Sequence, residues 1–203
     1  MIKTIIFDLG GVLIDWDPQH LYKKIIPDKQ KRDYFLENIC TSDWNDCQDA
    51  GRPLAEGTQL LVDQYPEFKN EIQAFYGRWE EMLVGPIQST VNILEAIHRG
   101  NNYSLYALTN WSHETFPVAQ ERYDFLQLFS DIVVSGVEKM KKPDPGFYNL
   151  LLEKHSLLPK QTLFIDDNLS NIKAAQALGL QTIHFKIDDN LEEQLRNSHS
   201  IIF

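Results

Sequence analysis

The sequence predicts an α/β fold, a mainly parallel sheet with a small all-helical block inserted after the first strand. Three observations predict it. Short β-branched and aromatic runs at 2–7, 104–108, 132–135, 162–165 and 182–185 alternate with helical patterns from residue 90 onward. Between the first run and the rest, roughly 65 residues carry helical periodicity and no strand signal. Three of the runs end in polar residues suited to chemistry: Asp8, then Thr109-Asn110, then Asp166-Asp167. Strands alternating with helices of this length imply right-handed βαβ units.

The first strand, 2–7, ends in Asp8-Leu9-Gly10-Gly11. A carboxylate at a buried strand end must be paired, hydrated or metal-bound. It is also where open α/β sheets bind ligands, and the two glycines let backbone approach whatever Asp8 holds. Asp8 therefore reads as a nucleophile. After Asp15-Trp16-Asp17-Pro18 come helical patterns at about 19–26, 29–41, 54–65 and 68–83, the second capped by Asp28 and the third opened by Pro53. Gly85-Pro86 reads as a hinge out of this block. A helix over 90–99 is expected to end at Gly100, one over roughly 113–123 follows the second strand, and Asp144 with Pro145 opens another running to about His155. A helix over 170–178 closes at Gly179, and 188–203 reads as a short helix and tail. The expected division is a core of 1–15 and 87–203 with 16–86 as a helical lid at the carboxyl edge of the sheet.

Composition narrows the partners. Apolar residues make up 43% of 203, enough for a real core, and the net charge is −10 with no basic cluster. Nucleic acid and anionic membrane both need a positive footprint, so neither is expected as a partner, whereas a small anionic substrate needs only a local cation. Cys40 and Cys47 have no Cys-x-x-Cys spacing, and no apolar run approaches a membrane span. With no signal-like N-terminal region, a cytoplasmic address is expected. Nothing marks an oligomer interface.

If the strand ends converge, one site holds Asp8, Thr109, Asn110, Asp166 and Asp167, with Lys142 from the loop Lys141-Lys142-Pro143-Asp144-Pro145. Carboxylates so close need a compensating cation. Oxygen-only ligands favour a hard ion, most naturally Mg²⁺. Asp8 is then placed to attack phosphorus, with Thr109, Asn110 and Lys142 on the phosphoryl oxygens. The plain alternative for Asp166-Asp167-Asn168 is helix capping, and for Lys142 a solvated surface.

Four stretches in order, Phe7 to Leu13, Leu108-Thr109-Asn110, Lys142 to Pro145, and Phe164 to Asn171, resemble the ordered motifs of the haloacid dehalogenase superfamily. The resemblance implies a Rossmann-like core with a helical cap after the first motif. It implies Asp8 as nucleophile, Thr109 as phosphate binder and Lys142 as the stabilising lysine. It also implies a Mg²⁺ site from Asp8, the Gly10 carbonyl, Asp166 and Asp167. The expected activity is Mg²⁺-dependent hydrolysis of a small phosphorylated metabolite, a sugar phosphate among the candidates, through an aspartyl-phosphate. One departure matters. Superfamily phosphatases usually carry a second Asp two residues after the nucleophile as acid and base, and this sequence has Gly10 there. Alcohol leaving groups are then expected to be slow, with His113, Asp15 or Asp17 as replacements. The alternatives are a 2-haloacid dehalogenase, whose halide needs no acid, with Arg52 or Arg78 as carboxylate clamp, and a non-catalytic ligand-binding module.

Overall fold

The computed structural model describes residues 1–203. The first strand is β1 (Thr4–Phe7), and the chain then turns through Gly10-Gly11 into β2 (Ile14–Trp16). Five helices follow without a strand among them: α1 (Pro18–Ile25), α2 (Lys29–Asn38), α3 (Ser42–Asp49), α4 (Leu54–Gln64) and α5 (Lys69–Gly77). A 3₁₀ turn at Trp79–Met82 leads into β3 (Leu83–Pro86). From there come α6 (Gln88–Gly100), β4 (Ser104–Thr109), α7 (Phe116–Arg122), β5 (Asp131–Val134) and α8 (Ser135–Glu138). The chain ends with α9 (Pro145–Lys154), β6 (Thr162–Asp166), α10 (Leu169–Ala177), β7 (Gln181–His184) and α11 (Leu191–His199).

The main sheet has five strands in the order β5-β4-β1-β6-β7, and every pairing in it is parallel. Beginning at β1, the chain builds outward through β4 to β5, then returns to build through β6 to β7 on the other side. β1 is therefore the topological switch point, where open α/β sheets form a crevice at their carboxyl ends. Phe7 pairs with Ala107 on one side and Ile165 on the other, so Asp8 emerges one step beyond the ladder, between the ends of β4 and β6. Ile5, Phe7, Leu163 and Ile165 are fully buried, as strands covered on both faces require.

Several local expectations change. Asp28 caps α2 through Lys31 N–H as expected, but the helix stops at Asn38. The fourth helical pattern ends at Gly77 rather than 83, giving way to the 3₁₀ turn. Gly85-Pro86 is no free hinge: it pairs antiparallel with β2, Asp15 opposite Gly85 and Ile14 opposite Pro86, so the two chain crossings into the helical block form one ribbon. The left-handed residue closing α6 is Asn101 (φ 52°), with Gly100 still helical. Helix α3 is new. Thr41 caps it through Trp44 N–H at 3.1 Å, and its buried residues are the polar Asn45 and Gln48. No helix is long and apolar enough to cross a membrane.

The helical block packs through aromatic rings. Phe35 is fully buried, with Tyr22 at 4.9 Å and Phe68 at 5.6 Å between centroids. Trp79 meets Trp111 edge-on at 5.7 Å, where the block faces the loop after β4. Phe35→Ala removes a whole ring from this cluster and is expected to cost about 3–5 kcal/mol in urea unfolding; a loss below about 1 kcal/mol would mean that the cluster repacks freely.

Candidate active site

Each strand end brings its residue to the crevice. Asp8 N–H donates to Ile165 C=O at 2.8 Å, extending the β1–β6 ladder by one bond and fixing the Asp8 backbone. Asp8 Oδ1 accepts from Leu9 N–H at 2.7 Å and from Lys142 Nζ at 2.9 Å. Lys142 Nζ also donates to Asp166 Oδ2 at 2.7 Å. The Lys142 side chain is 1% exposed, so this ammonium is no surface group; it lies buried between two carboxylates.

The Lys142 backbone is held just as firmly. Asn110 Nδ2 donates to Lys142 C=O at 2.9 Å, and Asn110 Oδ1 accepts from Lys142 N–H at 2.8 Å. Both ends of the Asn110 amide are thus engaged in the Lys142 peptide. Thr109 is 1% exposed at the end of β4.

Asp166 is fully buried, and its oxygens are heavily engaged. Oδ1 accepts from Asn168 N–H at 2.7 Å, and Asn171 Nδ2 lies 3.1 Å from both oxygens. Capping of α10 falls to Asn168, which accepts from Ser170 N–H, so neither aspartate is spent as a helix cap. Asp167 is exposed and lies against Gly11. A Cβ on Gly11 would sit 2.4 Å from Asp167 Oδ2, and Gly11 has φ +72°, so both space and backbone require glycine there.

The electrostatics follow from crowding. Oxygens of Asp8, Asp166 and Asp167 lie within 4.8 Å of one another, and Lys142 is the one ammonium among them. Burial pushes Asp8 up, Lys142 pulls it down, and Asp166 and Asp167 push it up again, leaving it above the usual carboxylate range. Burial works to lower the Lys142 pKa, but Asp166 and Asp8 outweigh it and hold the ammonium above its ordinary value. Asp167 is raised by desolvation and by Asp166 beside it. An oxygen-only cluster with this excess of negative charge, cradled by a glycine turn, fits a hard divalent cation.

Over Gly10 and Asn110, beside this centre, is a cavity of about 50 Å³. Gly10 and Asn110 line it from the sheet side, and Asn45, Asp49 and Tyr76 from the helical block, with walls of Trp16, Trp79, Trp111 and Thr115. Three polar contacts tie α3 and the start of α4 to the loops below. The Ser135 hydroxyl donates to Asp49 C=O, Lys141 Nζ to Asp46 Oδ2 at 2.6 Å, and Leu54 N–H to Glu114 Oε1 at 2.8 Å. The expected replacements for a second aspartate lie elsewhere. His113 is exposed, Asp15 pairs with His20 at 3.0 Å, and Asp17 caps α1 through Gln19 N–H. None of the three lines the cavity. Asp49, which does, lies on α3, a helix whose buried residues are polar and which hydrophobic periodicity therefore does not mark. The available signal was the Thr41-Ser42-Asp43 run, a helix-start composition.

Fold and site together define an α/β protein with a carboxylate–lysine centre at the switch point of its sheet. Residues 2–179 match the family model for haloacid dehalogenase-like hydrolases, and the chain belongs to that hydrolase family. It is 30% identical to the sesquiterpene phosphatase astK of Aspergillus oryzae over 183 residues, 90% of this chain and 89% of that one. It is 32% identical to the phosphoglycolate phosphatase of Aliivibrio fischeri over 215 residues, 97% and 89% of the two chains. It spans only 36% of the drimenol cyclase drtB of Aspergillus calidoustus, which it matches at 28% identity over 97% of its own length. Among solved structures, a HAD family enzyme from Bacteroides thetaiotaomicron, in complex with magnesium and inorganic phosphate, superposes with a TM-score of 0.72 at 26% identity. That superposition covers 97% of this chain and 100% of the other.

The Lys142 pairing generates a stability prediction. Lys142→Met leaves two buried carboxylates uncompensated and is expected to cost about 3–5 kcal/mol at neutral pH by chemical denaturation. Adding Asp166→Asn is expected to recover part of that loss. Strict additivity of the two substitutions would mean that the buried pair is not coupled.

Proposed function

We propose that this protein is a Mg²⁺-dependent phosphatase of small phosphorylated metabolites, with residues 16–86 as a cap over the site. The observation that carries it is the buried Asp8–Lys142–Asp166 arrangement with Asp167 beside it. One carboxylate is aimed into the crevice, one ammonium is fixed beside it, and the surplus negative charge suits a divalent cation. Phosphatase relatives and the magnesium–phosphate complex of the Bacteroides enzyme support the same reading.

In this reading Asp8 uses its unpaired oxygen, Oδ2, as nucleophile on phosphorus, because Oδ1 is held by Leu9 N–H and Lys142. Lys142 places positive charge where the phosphoryl oxygens gather it, and the Thr109 hydroxyl at the β4 end offers a further donor. Asn110, Asn168 and Asn171 set the positions of Lys142 and Asp166, and Asn110 also lines the cavity. Asp8, Asp167, Asp166 and the Gly10 carbonyl would hold Mg²⁺, which supplies charge neutralisation for the phosphoryl group. The aspartyl-phosphate on Asp8 is then hydrolysed by water. A sugar phosphate is among the substrates this reading allows, with aromatic and polar residues of the cavity lining as its neighbours.

The dehalogenase alternative gains less support. It needs a cation for the substrate carboxylate, yet Arg52 is bonded to Gln48 and Arg78 to Glu81, and neither lines the cavity. The test is phosphate release from 4-nitrophenyl phosphate and a sugar-phosphate panel. Release is expected to need Mg²⁺, to stop with EDTA, and to fall by at least about 10³-fold in Asp8→Asn, which removes the nucleophile. Halide release from 2-chloropropionate without metal, and no phosphate release, would replace this reading with the dehalogenase.

A further inference from the structure

Gly10 lies two residues past Asp8, and a Cβ built on it meets nothing within 4 Å. The space over it is the cavity already described, and Asp49 is the one carboxyl among the residues lining that cavity. Asp49 is held there from several directions. Asn45 Nδ2 donates to Asp49 Oδ2 at 2.9 Å, Tyr76 OH donates to Asn45 Oδ1 at 2.8 Å, and Gln48 Nε2 donates to Tyr76 OH at 3.0 Å. The Ser135 hydroxyl anchors its backbone carbonyl from the sheet side, and the Ser112 amide approaches its carboxyl. A structural helix-end aspartate needs none of this chain of buried amides and a phenol.

The ionisable neighbours are few. Asp46 lies one turn back on α3, Lys141 comes from the loop before α9 and is paired with Asp46, and Tyr76 comes from α5. Burial first, then the Asp46 charge, push the Asp49 carboxyl up to about 7, against the pull of the Ser112 amide, Lys141 and Asn45. A carboxyl poised there can give and take a proton near neutrality.

We propose that Asp49 is the general acid and base of the reaction, delivered by the helical block into the space that Gly10 leaves open, so that esters of ordinary alcohols are substrates. This rests on the phosphatase reading above. In the first step Asp8 Oδ2 forms a bond to phosphorus as the P–O bond to the alcohol breaks, and the leaving oxygen takes the proton of Asp49. In the second step the Asp49 carboxylate takes a proton from water as the water oxygen bonds to phosphorus. The Asp8–phosphorus bond breaks, inorganic phosphate leaves, and both aspartates return to their starting states. The expected slowness toward alcohol leaving groups, drawn from Gly10 alone, is thereby reversed.

The test compares kcat/KM, which reports the steps through P–O cleavage, for 4-nitrophenyl phosphate and for glycerol 3-phosphate. Asp49→Asn keeps an acceptor for Asn45 but carries no proton to give. It is expected to lower kcat/KM for the alkyl ester by about 10²–10⁴-fold and to affect the aryl ester far less, because nitrophenolate leaves without protonation. Gly10→Asp, placed in the Asp49→Asn background, is expected to raise the alkyl rate again by supplying a carboxyl from the floor of the same cavity. Equal losses on both esters would make Asp49 a binding or packing residue and overturn the proposal. No loss on either ester, or a wild-type enzyme active on the aryl ester alone, would overturn it too. Aryl turnover that persists in Asp8→Asn would instead sink the phosphatase reading itself, so the two failures are separable.

Discussion

Lys142 is the residue on which the site depends. Its ammonium sits between Asp8 and Asp166 with essentially no access to water and compensates both carboxyl groups at once. The surrounding hydrogen bonds serve this arrangement. Asn110 closes on the Lys142 peptide from β4, while Asn168 and Asn171 fix Asp166 from the start of α10. A lysine has a long flexible stem, and holding it still takes contacts at both its backbone and its head. The loop between α8 and α9 supplies the residue, and the ends of three strands supply the hold.

That convergence is a consequence of strand order. β1 is central, with β4 and β6 as its neighbours, so the residues just past their carboxyl ends share one crevice although they are far apart in the chain. The register leaves little freedom: Phe7 lies opposite both Ala107 and Ile165, which sets Asp8 one step out beside Asp166. A shift by one residue would turn Asp8 toward the wrong face of the sheet. The glycine turn that follows serves the same geometry, because Asp167 occupies the space a side chain on Gly11 would need.

The floor of the site was legible in the sequence and the roof was not, for a physical reason. Strands covered on both faces are written as runs of Ile, Phe, Leu and Val, and a polar residue ending such a run stands out, as Asp8 and Asp166 do. Helix α3 is written Ser-Asp-Trp-Asn-Asp-Cys-Gln-Asp and buries Asn45 and Gln48. Its inward face is satisfied by hydrogen bonds to Tyr76, Trp44 and Arg52 rather than by apolar contact, so it leaves no hydrophobic period to read. The β2–β3 ribbon escaped for a different reason: its two short strands lie on either side of the whole helical block, and pairing at that separation leaves no local mark. Asn110 shows a third limit. Its place after a strand was readable, but only the fold shows that its amide is turned onto a neighbouring peptide.

The two halves of the cavity differ in how they are held. The floor belongs to a continuous parallel sheet, and its reactive groups are fixed by strand ladders and buried ion pairs. The roof meets the elements below through polar contacts, among them Ser135 to Asp49, Lys141 to Asp46 and Leu54 to Glu114, and through the Trp79–Trp111 ring contact. Local opening draws on the less buried, more polar contacts of a structure. In the proposed reading the roof is the part that lifts to admit a substrate, while Asp8 and Lys142 stay in place on the sheet. A proton donor carried on that roof reaches the leaving oxygen only when the contacts are remade and the cavity is closed. Placing a carboxyl at Asp49 rather than at position 10 thus couples proton delivery to closure. On the proposal above, the open space over Gly10 separates a nucleophilic centre assembled on the sheet from an acid carried by the helical block.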